Sequence, residues 1–371
     1  MPALTFTLAT PADDESLRQL LRENPMPGSI SLSFEREPFY FDASTIEGPF
    51  HQTIVARETD TGSAIAFGNR SIRPLFVNGK VRDIGYMSQL RIRPDYGKGL
   101  YLARGLAGGF RKYQELHQDG RTPFYLMSVI EDNLPARRLL TSGLPDYPST
   151  QEYGRMFTYA IYPSRRRRAL QLPGSICLMR GSDKYIDEIV ACLNRNNARK
   201  QFAPYWTCDS LFIANLNPSD FFLALYGDRV VGCLSFWDQS AFKQTVVRGY
   251  SGSLAHWRKV LNAFSALGGW VHLPEPNTPL RHSYASHLAI DDDNPAIFAA
   301  LFRALYHHNL EAGYSYFIIG LAESNPLNNI VKTYRPLTYT SQLYLVAWDN
   351  GQDAISKLDN SLIPGPEIAV L

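Results

Sequence analysis

Apolar and polar residues change their period repeatedly along this chain, and each change marks an element. Residues 4–9 alternate as a short strand. Thr10 and Pro11 then open a helix with Asp13, Asp14 and Glu15 in its first turn and Leu17, Leu20 and Leu21 on one face, ended by Met26-Pro27-Gly28. Strands at 52–57 and 63–70 flank a turn at Asp60-Thr61-Gly62. Residues 71–77 continue the second strand, and Asn78-Gly79 is a hairpin turn into a third that stops at Pro94. Leu102, Leu106, Phe110 and Tyr113 recur at helical spacing over 100–118. A buried-type strand at 124–130, a helix at 135–140 stopped by Gly143, and an alternating strand at 153–162 complete a first series.

The second half runs through the same series. A strand at 176–180 and an acidic-start helix at 182–194 answer 4–24, and strands at 221–226 and 229–236 answer the early hairpin. Tyr284-Ala285-Ser286-His287-Leu288-Ala289-Ile290 echoes Tyr86-Met87-Ser88-Gln89-Leu90-Arg91-Ile92. A helix marked by Ile297, Leu301 and Leu305 follows, then a strand at 317–321, and Glu323-Ser324-Asn325 falls where the first half has Glu131-Asp132-Asn133. Such periodicity predicts two copies of one α/β unit. The expected boundaries are 1–163, a linker at 164–174 that includes four consecutive arginines (165–168), a second unit at 175–349 and a tail at 350–371. The arginine run reads as a solvated linker, with a grip on an acidic partner or on an adenosine 3′-phosphate as the alternative.

The copies part company at one turn. In the first, the strand carrying Tyr86 breaks at Pro94-Asp95 and passes through Gly97-Lys98-Gly99 into a helix. Glycines let the backbone approach an oxygen cluster, and a helix start offers free N–H groups and a favourable dipole, so this is a candidate phosphate cradle. The second copy has Asp291-Asp292-Asp293-Asn294-Pro295 there. Three carboxylates repel a phosphate and proline removes an amide. The acidic run lacks the glycine and distal Glu of a calcium loop and reads as an acidic helix start.

The run LRIRPDYGKGLYLARGL, with Asn133, Ala136 and Leu139 behind the 124–130 strand, resembles motifs A and B of the GNAT superfamily of acyl-CoA-dependent N-acetyltransferases. The resemblance implies an α/β (α+β) protein of two tandem GNAT-like units, each a mixed, mostly antiparallel central sheet flanked by helices. It implies acetyl-CoA, or another acyl-CoA, as co-substrate in the first unit. In such folds the motif strand splays from its neighbour, which assigns pantetheine to the backbone of Leu90, Arg91 and Ile92, with an N–H near Leu90 as oxyanion donor. Tyr96, Gly97, Lys98, Gly99, Leu100, Tyr101 and Asn133 become the remaining cofactor-binding candidates. The loop departs from the family by being one residue shorter, with Tyr96 in place of Arg or Gln and Tyr101 in place of a small residue. Phosphate binding then rests on backbone amides and Lys98.

The early region 29–41 of such proteins is a helix-loop wall of the acceptor pocket. Phe34, Glu35, Arg36, Phe39 and Tyr40 are therefore candidate substrate contacts, the aromatic three foremost, with simple core packing as the alternative. Glu131, at the carboxyl end of the strand beside the splay, is the candidate base, or else caps the next helix. Tyr86 and Ser88 are candidate proton relays, although both recur in the second copy, which favours packing. Leu140 stands where many members carry an acidic tyrosine. Tyr101 and Tyr125 are possible substitutes, and an unassisted thiolate is the other option. His117 reads as solvent-facing.

Length and composition narrow the rest. A chain of 371 residues suits two domains, and 45% hydrophobic against 19% charged residues describes a globular protein. A net charge of +2 exerts no general pull on nucleic acid or membrane. The four cysteines show no CxxC pairing, so no metal is expected. With no signal pattern and no apolar run of membrane length, the cytoplasm is the expected location. The leading expectation is an N-acetyltransferase acting on a small or amino-acid-like amine. A non-catalytic acyl-CoA-binding module, and an enzyme whose second copy does the work, are the alternatives.

Overall fold

The structure, a computed structural model, describes residues 3–26, 28–96, 99–170, 172, 174–252, 254–258, 262, 273–348 and 351–371. In the first half, β1 (Leu4–Leu8) leads through a proline-opened turn into α1 (Asp14–Glu23). Then come β2 (Ile30–Glu35), β3 (Phe50–Glu58), β4 (Ala64–Val77), β5 (Lys80–Ile92), α2 (Gly99–His117), β6 (Tyr125–Ile130), α3 (Leu134–Leu140) and β7 (Ser149–Ile161). The second half gives β8 (Ile176–Arg180), α4 (Ile186–Asn197), α5 (Cys208–Ile213), β9 (Phe221–Tyr226), β10 (Arg229–Trp237), β11 (Gln244–Tyr250) and β12 (Thr278–Pro279). It continues with β13 (His282–Ile290), α6 (Pro295–Glu311), β14 (Tyr316–Ala322), α7 (Asn328–Lys332), β15 (Leu337–Ala347) and α8 (Gln352–Ser356).

Turn chemistry sets the hairpins. Asn78 and Gly79 both take positive φ, 51° and 74°, the pair a tight two-residue hairpin requires between β4 and β5. Twelve strands form one sheet in the order β1-β3-β4-β5-β6-β15-β7-β14-β13-β10-β9-β8. The order is a palindrome of the two halves, with the final strands exchanged at its centre. β15 pairs with β6 on one side and β7 on the other, and β7 pairs in turn with β14. The first half's sheet is thus continued by the second half's last strand.

A second, three-stranded sheet, β12-β11-β2, ties the halves again. Its strand β2 corrects the helix-loop expectation for residues 29–41. Ile30-Ser31-Leu32-Ser33-Phe34-Glu35 alternates apolar and polar residues, the period of a strand, and it pairs with β11 from Glu35↔Gln244 to Ile30↔Tyr250. The acidic run ahead of α6 is also better explained. Asp291 is ion-paired to Arg195 and Arg229, and Asp293 to Arg199, while Asn294 caps α6 through Ala296 and Ile297 N–H groups. Asp291 and Asp293 thus tie α4 to the start of α6. His117 is buried, not solvent-facing. Its ring stacks on Trp348 and lies 3.2 Å from the Tyr125 hydroxyl.

Candidate active site

The parallel pair β5 and β6 is joined only at Gly85↔Tyr125 and Tyr86↔Leu126. Beyond that the strands separate. Gly85 permits the last close approach, since a Cβ there would sit 2.1 Å from the Tyr125 ring. Further along β5, two residues stand opposite one of β4: Phe67 faces Arg91 and Asn69 faces Ser88, so Gln89 and Leu90 share the place of Gly68. This is a bulge, and Gln89 takes φ +55° to make it. A bulge re-aims side chains and backbone, here toward the opening between β5 and β6.

A cavity of about 470 Å³ occupies that opening. Tyr86, Ser88, Gln89, Leu90 and Arg91 line it from β5, Met127 to Ile130 from β6, and Asn133, Ala136 and Leu140 from the start and body of α3. The cavity does not end with the first half. Tyr284, Tyr316 and Tyr339 close it from β13, β14 and β15, with Phe34 of β2 and Thr245 of β11 at one side. Ser88 Oγ and Gln89 Oε1 are buried in this wall without hydrogen-bond partners. A buried polar atom left unpaired is costly, and these two belong to residues that line the cavity. The Tyr284 phenol is pushed up to about 12 by burial, reinforced by Tyr339 and Glu367. Burial raises Tyr86, Tyr316 and Tyr339 too, with Glu47 adding to the shift at Tyr86, so all four stay neutral donors at ordinary pH.

A second opening has a different content. β13 and β14 are joined from His282↔Tyr316 to Tyr284↔Ile318 and then part. β13 carries the matching bulge at His287 (φ +51°), with Cys233 facing Ala289 and Ser235 facing Ser286. Here the chain's own tail fills the gap. The Glu367 carboxylate accepts the His287 N–H at 2.9 Å and the Ala369 N–H at 3.1 Å, and a Cβ on Gly320 would fall 2.3 Å from Ile368. Only about 50 Å³ of open space remains beside Pro364, Gly365 and Glu367. Ile368 and Leu371 then reach through to line the large cavity.

The residues singled out from sequence fall in several places. Tyr86, Ser88, Leu90, Arg91 and Asn133 line the cavity, and Asn133 Oδ1 also caps α3 by accepting the Ala136 N–H at 3.3 Å. Ile92 and Tyr96 lie instead in a small apolar pocket between α2 and the sheet, where the Tyr96 hydroxyl bonds Glu58. Gly97 and Lys98 fall outside the described residues, and Gly99, Leu100 and Tyr101 are described only as backbone of α2's first turn. Of the three aromatic candidates for substrate contact, Phe34 faces the cavity. Tyr40 is fully buried in the α1 core with its hydroxyl on Asn69 Oδ1 (2.8 Å), and Phe39 packs on Phe41. Glu131 stands at the rim with its carboxylate on Arg155 (2.9 Å), which also holds Glu323, and it does not line the cavity. Tyr125 is likewise engaged, by Arg70 Nε at 2.9 Å.

The fold has relatives of known structure. A GCN5-related N-acetyltransferase from Sphaerobacter thermophilus superposes with a TM-score of 0.57 over 92% of this chain and 95% of its own, at 11% identity. The fold is that of the GNAT superfamily. Within that superfamily fold, Saccharomyces cerevisiae N-myristoyltransferase with bound myristoyl-CoA gives a TM-score of 0.57 at 11% identity, covering 93% of this chain and 79% of that one. An Enterococcus faecalis V583 protein described as a probable N-acyltransferase gives 0.53 at 9% identity, covering 94% and 74%. No family profile and no curated protein matches the sequence itself.

Proposed function

We propose that the opening between β5 and β6 binds an acyl-CoA and that the protein transfers its acyl group, in the simplest case acetyl, to the amine of a small or amino-acid-like acceptor. The observation that carries this reading is the contrast between the two bulges. At His287 the bulge N–H already donates to a carboxyl oxygen, that of Glu367. The corresponding N–H in β5 is that of Gln89, beside unpaired Ser88 Oγ and Gln89 Oε1 and a cavity of about 470 Å³. Backbone of Leu90 and Arg91 would pair with pantetheine, and the diphosphate would fall to residues 97–99 and the N-terminus of the 19-residue helix α2.

In this mechanism a thioester supplies an activated carbonyl carbon, and the protein's groups do the rest. The β5 bulge aims its N–H at the negative charge that develops on the carbonyl oxygen. The acceptor amine reaches that carbon from the side of Phe34 and Thr245, which fixes its direction of approach. Three cations near that side, Arg36, Arg91 and Lys243, disfavour an ammonium and so favour the neutral amine that attacks. The amine's proton leaves through Ser88 Oγ to water, and the thiolate departs without a tyrosine acid, since Leu140 fills that place. A cytoplasmic setting, where acyl-CoA is at hand, suits this activity.

One observation favours a second reading. Among the described residues lining the cavity no side-chain carboxylate is present to act as a base, which suits an acyl-CoA-binding module without turnover. Thiol release from acetyl-CoA over an amine panel separates the two. The enzyme reading predicts acceptor-dependent release, and tight binding without release across the panel would exclude it.

A further inference from the structure

The large cavity has a small annex of about 30 Å³ reached past Phe34, Gln89, Thr245 and Tyr284, which line both. Its inner wall is Glu35, Arg36, Lys243, Gln244 and His282. Arg36 is 2% exposed and gives one arm to Glu47, while its Nη1 is buried with no partner. Lys243 is half-buried, and among the described residues its ammonium bonds only the Ala369 carbonyl, at 3.4 Å. Among the described residues no carboxylate pairs with Lys243 or with Arg91 on the adjoining wall, whose guanidinium reaches the Leu90 carbonyl.

Desolvated cations whose hydrogen bonding is incomplete are costly, and a binding site is a common reason to keep them. The anions nearby are already committed. Glu35 is held by Arg248 and Ser33, and Glu47 by Arg36, His51 and Asn69. His282 is kept neutral by burial. We propose that the acceptor carries a carboxylate, and that Lys243 and the free arm of Arg36 bind it in the annex while the acceptor's amine faces Gln89 in the main cavity. This rests on the acyl-transfer reading for the amine's fate, and on the annex alone for the carboxylate. Because Gln89 lines both spaces, the two groups of the acceptor are separated by a short linker, as in an α- or β-amino acid. The small annex suits a carboxylate better than a bulkier phosphate.

Burial, then the like charge of Arg36, lowers Lys243 to about 8, against the pull of Glu47. The cation is therefore present at neutral pH and lost above it, and carboxylate binding should weaken as pH rises through about 8. Arg36 and Arg91 stay charged across that range.

The test is a titration of free amino acids and their carboxamides against wild type, Lys243→Met and Lys243→Arg, read by ligand-induced shifts in melting temperature, with thiol release from acetyl-CoA measured on the same samples. The expected result is at least a tenfold preference for an acid over its amide in wild type. That preference should fall toward one in Lys243→Met, survive in Lys243→Arg and fade above pH 8. Equal binding of acid and amide, no acid bound, binding of inorganic phosphate alone, or an undiminished preference in Lys243→Met would overturn the proposal. Discrimination without thiol release would support the annex and remove acyl transfer. Thiol release without discrimination would do the reverse.

Discussion

At the scale of single residues, Glu47 is the most consequential charge in the first half. Burial alone would raise its carboxyl, but Arg36 and then His51 hold it down to about 2 from the usual 4.5. A depressed carboxyl stabilises the fold above its unfolded pKa and loses that contribution as pH falls through the range 4.5 to about 2. Removing the charge strands Arg36 in the interior, at a cost of about 3–5 kcal/mol. Glu47→Gln should therefore lower the melting temperature at pH 7, and its gap to wild type should narrow as pH drops below 4.5. A gap that is constant with pH would show that the ion pair is not what the substitution removes. Glu131 leads to the opposite expectation. Its carboxylate is on Arg155 at the rim, so Glu131→Gln should change kcat/KM for acyl transfer by less than about tenfold, below the range typical of a lost general base. A loss of a thousandfold would return it to the chemistry. Ser88 and Leu90, singled out in the sequence because motif spacing is local, line the cavity. Lys243 was not found that way, since its importance comes from Arg36 and Gln89, which are far away in the chain. The one hint is that it and Asp238 are the only charged residues between Val230 and Val247.

At the scale of elements, most strands and helices were legible because their apolar periods are clean. The β4–β5 hairpin was plain in Asn78-Gly79, and β8 and β9 fall where the alternation put them. β2 was missed although its alternation is regular, because a family expectation of helix was laid over it. The tail between β13 and β14 was not legible at all, since nothing in Pro364-Gly365-Pro366-Glu367 announces which groove it fills. That contact leads to a prediction. A methyl group at Gly320 would overlap Ile368, so Gly320→Ala should loosen the tail at a cost of about 1–3 kcal/mol. As Glu367 shifts, the His287 amide should exchange with solvent faster. An unchanged exchange rate would mean that the tail is not what protects that bulge.

At the scale of the whole molecule, the sequence showed two similar halves but gave no sign of how they interlock. β15 inserted between β6 and β7, and β2 paired with β11, make each half depend on strands of the other. Unfolding should accordingly give a single calorimetric transition with matching calorimetric and van't Hoff enthalpies, and two resolved transitions would contradict the interlock. The two clefts also differ in content, one holding a cavity of about 470 Å³ and its counterpart filled by the chain's own tail. The most direct measurement is a crystal structure of the protein soaked with acetyl-CoA or an inert thioether analogue. The account predicts pantetheine between β5 and β6, its carbonyl oxygen at the Gln89–Leu90 bulge, and the Glu367 tail undisturbed. Ligand between β13 and β14 with that tail displaced, or a β5/β6 cleft that stays empty at saturating ligand, would contradict it.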